Sequence, residues 1–270
     1  MELTLVIDLH SLEEFIEAHS FKDTLTNNYL LSKQYSNYIE EKKLWYSIKE
    51  ANLYLFVEKE GFYRLYYHVN NTDVQHDFTN IEIVLEIIYR GESKKPIDHV
   101  NYWKKNGFKT HLTRDCYFLK KSEVTSKFEN KEEFKIESVS SEEDIIFAKK
   151  LIDENLDIYT GDSLTLHEIE NYCKLGQLYC VYEKGIRSGI LQAEFKNNIF
   201  WLGHIVIDKN FRGLGLANEL VNHYINEGID LQAMQFQLWV INDNIAAVNL
   251  YQKKGFKYLN KSTLSMLKLN

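Results

Sequence analysis

The feature that most limits how this chain can fold is a repeat inside it. Val100-Asn101-Tyr102-Trp103-Lys104-Lys105-Asn106-Gly107-Phe108-Lys109 recurs as Val248-Asn249-Leu250-Tyr251-Gln252-Lys253-Lys254-Gly255-Phe256-Lys257, identical at six of ten positions and offset by 148 residues. Nearer the start, Ser11-Leu12-Glu13-Glu14-Phe15-Ile16 resembles Ser140-Ser141-Glu142-Glu143-Asp144-Ile145 at an offset of 129. Each follows a short apolar run, 3–7 and 134–139, and reads as a strand entering a helix with acids in its first turn. Two matches in the same order indicate a duplicated domain. The offsets differ by 19, so the first copy is expected to be about that much shorter in its middle. The polar stretch between two apolar runs divides the chain into a domain at 1–121, a linker at 122–133 and a domain at 134–270.

Composition agrees with two cores of ordinary size. Of 270 residues, 44% are hydrophobic and 26% charged, which excludes disorder as the main state. The net charge of −7 divides as −2 over residues 1–121 and −5 over the rest. Neither half offers the clustered bases that a nucleic acid needs, so none is expected as partner. No apolar run is long enough to span a bilayer, and residues 1–4 do not begin a basic-then-apolar leader. A cytoplasmic protein without a membrane partner is expected. Cys116, Cys173 and Cys180 form no CxxC, and the nine histidines include no HExxH. Idle thiols and no metal follow.

The second copy has a readable order of elements. A strand at 134–139, helices at 142–155 and 166–175, and a hairpin of 177–183 with 188–195 around Lys184-Gly185 come first. A strand at 200–207, a helix at 213–227, a strand at 236–240 and a helix at 244–254 ended by Gly255 come next, before a last apolar strand. This is a mixed α/β domain.

Its chemistry gathers at Ile205-Val206-Ile207-Asp208-Lys209-Asn210-Phe211-Arg212-Gly213-Leu214-Gly215-Leu216-Ala217. An apolar strand stops, a polar turn follows, and small residues open a strongly periodic helix. Glycines let an anion approach the backbone, the first helical amides lack internal partners, and the dipole there is positive. Arg212 adds a full charge. The turn is therefore a candidate phosphate or pyrophosphate cradle. It is not a P-loop, and Asn218 stands where a dinucleotide fingerprint needs its third glycine or alanine.

Arg212-Gly213-Leu214-Gly215-Leu216-Ala217 resembles the (Arg/Gln)-x-x-Gly-x-(Gly/Ala) signature of the GCN5-related N-acetyltransferases. Asn244-Ile245-Ala246-Ala247-Val248-Asn249-Leu250-Tyr251-Gln252-Lys253-Lys254-Gly255-Phe256 looks like that family's second motif. The resemblance implies an α/β fold of mixed sheets, with two such domains, each a mostly antiparallel twisted sheet flanked by helices. It further implies an N-acyltransferase that moves an acetyl group from acetyl-CoA, or another acyl-CoA, to a primary amine on a small molecule or peptide. The amides of Gly213, Leu214, Gly215, Leu216 and Ala217, with Arg212, would hold the pyrophosphate. Backbone groups of Ile205 and Ile207 would pair with the pantetheine arm, Asn244 would touch the cofactor, and Tyr251 would face the sulfur as general acid. His204 and Glu194, on adjacent strands, are the candidate bases. His204 alternates out of phase with Ile205 and Ile207 unless a bulge intervenes. Two other readings are a non-catalytic acyl-CoA-binding regulator and an aminoacyl transferase using charged tRNA, the second opposed by the absence of a basic stripe. Asp157, Tyr159 and Asp162 are candidate acceptor-loop residues.

The first copy carries only the second motif, with Trp103 in the place of Tyr251. Where the cradle and its helix belong, residues 70–80 contain no glycine, arginine or apolar period. The first domain is therefore expected to keep the scaffold without the anion cradle.

Overall fold

The computed structural model describes residues 2–269 apart from 76, 77, 79, 80, 130, 132, 161 and 162. The first half runs β1 (Thr4–Leu5), α1 (Leu9–Ala18), β2 (Leu25–Thr26), α2 (Ser32–Glu40), β3 (Leu44–Lys49), β4 (Asn52–Glu58), β5 (Tyr63–Val69), β6 (Ile83–Tyr89), α3 (Ile97–Lys105) and β7 (Lys109–Lys120). The second runs β8 (Phe134–Ser138), α4 (Glu142–Asn155), α5 (Leu166–Lys174), β9 (Leu178–Glu183), β10 (Ile186–Lys196), β11 (Ile199–Ile207), α6 (Leu216–Asp230), β12 (Gln235–Ile241), α7 (Ile245–Lys253) and β13 (Lys257–Lys268). Both halves therefore repeat one α/β plan. Among the described residues, no helix is long and apolar enough to cross a membrane.

Two compact units divide the chain: Met1–Thr113 with Lys261–Asn270, and Arg114–Asn260. Residues 114–120 of β7 pair antiparallel with β12, and residues 262–268 of β13 pair antiparallel with β6. Each unit thus takes its last strand from the other copy. The repeat and the compact unit are different divisions of the chain.

In the second unit the strands run β7-β12-β11-β10-β9-β8. Every pairing is antiparallel except β11 with β12. That parallel pair needs a crossover, which α6 supplies. One sheet face is covered by α6 and α7, with Leu216, Leu220, Val221, Tyr224, Ile225 and Tyr251 in its core. The other is covered by α4 and α5, with Ala148, Leu151, Ile152 and Ile169 buried. Side chains start three of these helices: Ser141 accepts from the Asp144 amide, Thr165 from Glu168 and Asn244 from Ala247. Tyr224 on α6 donates its buried hydroxyl to the Phe200 carbonyl and lies 3.2 Å from that of Gln237, bridging β11 and β12.

The polar stretch after β7 lies along α6. The Phe128 amide donates to Asn226 Oδ1 at 2.9 Å, and Asn226 Nδ2 returns a bond to the Phe128 carbonyl at 2.8 Å. The Lys131 amide donates to Glu219 at 3.2 Å, and the Lys254 ammonium sits 4.5 Å over the Phe128 ring. Val124 and Phe128, one helical pitch apart in sequence, pack on the α6 core.

In the first unit the strands run β1-β3-β4-β5-β6-β13, with β2 on β5, and only β5 with β6 is parallel. Between that pair the described residues contain no helix. From Tyr63 to its partner Ile83 is 20 residues; from Ile199 to its partner Gln235 is 36. The shortfall of 16 falls where the second unit places its glycine turn and α6, near the 19 inferred from the offsets. The first helix starts earlier than its counterpart would suggest. Asp8, not Ser11, caps α1, its carboxylate accepting from the Ser11 amide at 2.8 Å, and no acid stands in the first turn. His68 on β5 is buried, with Nδ1 3.1 Å from Ser20 Oγ and Nε2 2.9 Å from Asn28 Nδ2.

Candidate functional site

The site begins where two strands part. β11 and β12 are in register from Ile199↔Gln235 to Leu202↔Leu238, yet β11 continues to Ile207 and β12 to Ile241. His204 to Ile207 thus keep their pairing with β10 and have no strand paired on the other edge, where the Ile207 carbonyl accepts from Arg212. At the parting Gly203 is an extra residue, because Gln192 pairs with His204 and Ala193 with Leu202. A Cβ on Gly203 would lie 1.7 Å from Gln192 Oε1, so the Gln192 side chain fills the space over the bulge. A lone glycine within a strand pattern was the one sequence signal for it.

The bulge sets which way β11 points. Leu202, Ile205 and Ile207 belong to the core under α6, and Val206 to the core under α4 and α5. His204, alternating with Ile205, therefore shares the α4/α5 side. The bulge falls before His204, so it leaves His204 and Ile205 on opposite faces. Glu194 is on the same side as His204, being two residues from Gln192 and four from Ile190 of that core. Burial first, and then the nearby Glu194 carboxylate, raise the pKa of Tyr172 on α5. Asp157 accepts from the Thr160 amide at 3.0 Å in the loop after α4. Tyr159 is half-buried, and Asp162 lies outside the described residues.

Beyond Ile207 a single 3₁₀ turn, Lys209–Phe211, leads to Arg212 and α6. Gly213 has φ +84° and Gly215 φ +91°, the left-handed region that other residues enter at a cost. At neither would a Cβ meet any atom within 4 Å, so crowding does not explain the glycines; backbone conformation does. Leu214 between them is exposed, whereas Leu216 is buried and anchors the helix. Gly215 is the N-cap of α6 and brings no side chain to its first amides. Those of Leu216 and Ala217 therefore stand at the positive end of a fifteen-residue helix without a capping oxygen.

Arg212 completes this corner. Its Nε donates to the Ile207 carbonyl at 3.2 Å and its Nη2 to Asn155 Oδ1 at 2.7 Å. Both acceptors are neutral, so the guanidinium is oriented with no carboxylate paired to it among the described residues. Arg187 shows the alternative: it pairs with the Glu143 and Asp144 carboxylates, and those bonds raise its pKa further. An exposed arginine held by neutral oxygens, beside two left-handed glycines and a helix start without a side-chain cap, is suited to an anion.

The second motif contributes α7. Asn244 spends its side-chain oxygen on the Ala247 amide at 3.2 Å, leaving its amide nitrogen exposed with the residue. Tyr251 is buried in the α6/α7 core, with Phe256 5.9 Å away ring to ring. Among the described residues its hydroxyl has no hydrogen-bond partner, and burial holds its pKa well above the ordinary phenol value. The proton therefore stays on through neutral pH. In the first unit Trp103 takes the equivalent place and is enclosed by rings, with Tyr67 and Phe108 both at 4.8 Å and Tyr102 at 5.0 Å. Phe78 and Tyr54 add further contacts at 6.1 and 6.2 Å. Aromatic packing fills there what a polar hydroxyl occupies in the second unit.

The cysteines take no part. All three are free thiols, and burial raises the pKa of Cys173 and pushes that of Cys180 up to about 12. Among the described residues, no group of three His, Cys, Asp or Glu side chains is placed to hold a metal.

The parted parallel pair, the bulged strand and the glycine turn into a crossover helix all fall between Ile186 and Ile241. Residues 149–256 match the Acetyltransferase (GNAT) family, so the chain contains a domain of that family, and the fold repeats it in a second GNAT-like half. The structure resembles a GCN5-related N-acetyltransferase from Sphaerobacter thermophilus, with a TM-score of 0.64 and 10% identity over 99% of this chain and 95% of that one. It also resembles a tandem GNAT protein from the clavulanic acid biosynthesis pathway, with a TM-score of 0.62 and 8% identity over 99% and 98%. A GNAT-family acetyltransferase from Colwellia psychrerythraea aligns over all of both chains, at 0.54 and 11%. Identities this low establish the fold alone. No curated protein sequence matches the chain.

Proposed function

We propose that the second unit is an acyl-CoA-dependent N-acyltransferase, with acetyl-CoA as the foremost donor and a primary amine as acceptor. The observation that carries this is Arg212, oriented by two neutral oxygens beside an uncapped helix and two left-handed glycines. The amides of residues 213–217 and the Arg212 guanidinium bind the pyrophosphate of the donor. The strand-free edge of β11 at Ile205 and Ile207 accepts the pantetheine arm as an added strand would be accepted, with the Ile207 carbonyl shared with Arg212. The Asn244 amide nitrogen, free of its capping duty, serves as a further contact.

Bound acyl-CoA supplies the activated thioester. This chain supplies the rest. Tyr251 holds a proton on Oη at neutral pH and delivers it to the leaving sulfur, since among the described residues no group hydrogen-bonds to it. The acceptor amine enters from the α4/α5 side, where Glu194, His204 and the loop carrying Asp157 and Tyr159 stand. Glu194 and His204 are the groups on that side able to pass on the proton the amine loses. In the first unit the described residues between β5 and β6 form no helix and rings surround Trp103, which supports assigning the donor to the second unit.

Release of free CoA thiol from acetyl-CoA, measured across a panel of polyamines, amino acids, aminoglycosides and peptide N-termini, tests this. Amine-dependent release is expected with at least one class. Tight CoA binding without release from any amine would replace catalysis with acyl-CoA sensing.

A further inference from the structure

Arg212 is held from outside its own turn. Its Nη2 contact, Asn155, is the last residue of α4 and lies 57 positions earlier in the chain. The orientation of that side chain is itself determined, because Asn155 Nδ2 donates to the Leu151 carbonyl at 2.8 Å. The amide nitrogen is thus turned to the helix and the oxygen to the guanidinium. Leu151 and Ile152 are buried in the α4/α5 core, which fixes the end of the helix that carries Asn155. The carbonyl end of α4 also presents the negative pole of its dipole toward the cation. A chain of contacts therefore runs from the core, through Leu151 and Asn155, to Arg212.

We propose that Asn155 is the positioning residue of the cradle: it aims the Arg212 guanidinium at the donor's pyrophosphate without neutralising it. The inference rests on the acyl-CoA reading of the cradle. A carboxylate in the same place would orient the arginine equally well but would cancel its charge, as Glu143 and Asp144 do for Arg187. An asparagine gives direction and leaves the charge for a ligand.

A double-mutant cycle on CoA affinity, measured by titration calorimetry with the full chain, tests this. Asn155→Ala is expected to weaken CoA about three- to tenfold, the worth of one orienting hydrogen bond. In an Arg212→Ala background the same change is expected to have no effect, because Asn155 acts only through the guanidinium. Asn155→Asp, close in size, is expected to weaken CoA more than Asn155→Ala does. Equal losses in both backgrounds, or no loss from either Asn155 variant, would overturn the positioning role. If Arg212→Ala leaves CoA affinity unchanged, the cradle reading fails, and the inference with it.

Discussion

Two buried tyrosines set the proposed catalytic hydroxyl against a structural one. Tyr224 donates to the Phe200 carbonyl and lies 3.2 Å from that of Gln237, tying the parallel strands together. Removing its hydroxyl as Tyr224→Phe loses a buried hydrogen bond and is expected to cost about 1–2 kcal/mol. For a unit of this size that lowers Tm by about 3–6 °C. Tyr251 is buried in the same core, yet its hydroxyl bonds to no protein group among the described residues. Tyr251→Phe therefore loses nothing in the unliganded fold and is expected to change stability by less than about 0.5 kcal/mol. In the proposed role of proton donor to the leaving sulfur, however, Tyr251 is expected to contribute about 10²-fold or more in rate. Thermal unfolding and thiol-release kinetics on the two variants read the two effects apart. Tyr224→Phe should lose stability and keep turnover below its Tm, and Tyr251→Phe should do the reverse. Undiminished turnover in Tyr251→Phe, or a Tm loss equal to that of Tyr224→Phe, would refute the assignment.

Gly215→Ala forces a side chain to φ +91° in otherwise open space, so it should cost about 1–2 kcal/mol in chemical denaturation while CoA affinity also falls. His68 is buried mainly at the expense of its charged form, and its pKa falls to about 4 against 6.5 unfolded. The unfolded chain then binds the extra proton first, so stability should decline as pH drops from about 6.5 to about 4, by about 3 kcal/mol at most. His68→Gln should flatten that limb in denaturation curves recorded across this window. Asn226→Ala removes both bonds that hold Phe128 on α6, and limited proteolysis within residues 124–133 should quicken several-fold; an unchanged rate would mean that ring packing alone secures the strap.

Much of the second unit was legible because each element carries its own period. α4 falls where apolar spacing of 3.6 placed it, and β9 to β12 lie within two residues of the runs read from alternation. The start of α6 moved from 213 to Leu216 for a physical reason: Gly213 and Gly215 occupy left-handed conformations that no α-helix contains. The short connection between β5 and β6, without a helix among its described residues, was legible as a deficit between two offsets. What escaped is what depends on distant partners. The pairing of β7 with β12 and of β13 with β6 leaves no local trace, since a strand's alternation does not name its neighbour. The strap's polar composition hid two apolar residues spaced to reach α6. In the site, the cradle was written in consecutive residues, whereas Asn155 reaches Arg212 across 57 positions and gave no signal of its own.

The central claim is that the glycine turn holds the pyrophosphate of CoA. Titration of the full chain with CoA, beside the double variant Arg212→Glu with Gly215→Glu, tests it most directly. Micromolar or tighter binding (about −8 kcal/mol or better) is expected of the unaltered chain. The variant is expected to lose that binding, with circular dichroism showing the fold retained. CoA affinity surviving both substitutions, or no binding by the unaltered chain, would contradict it.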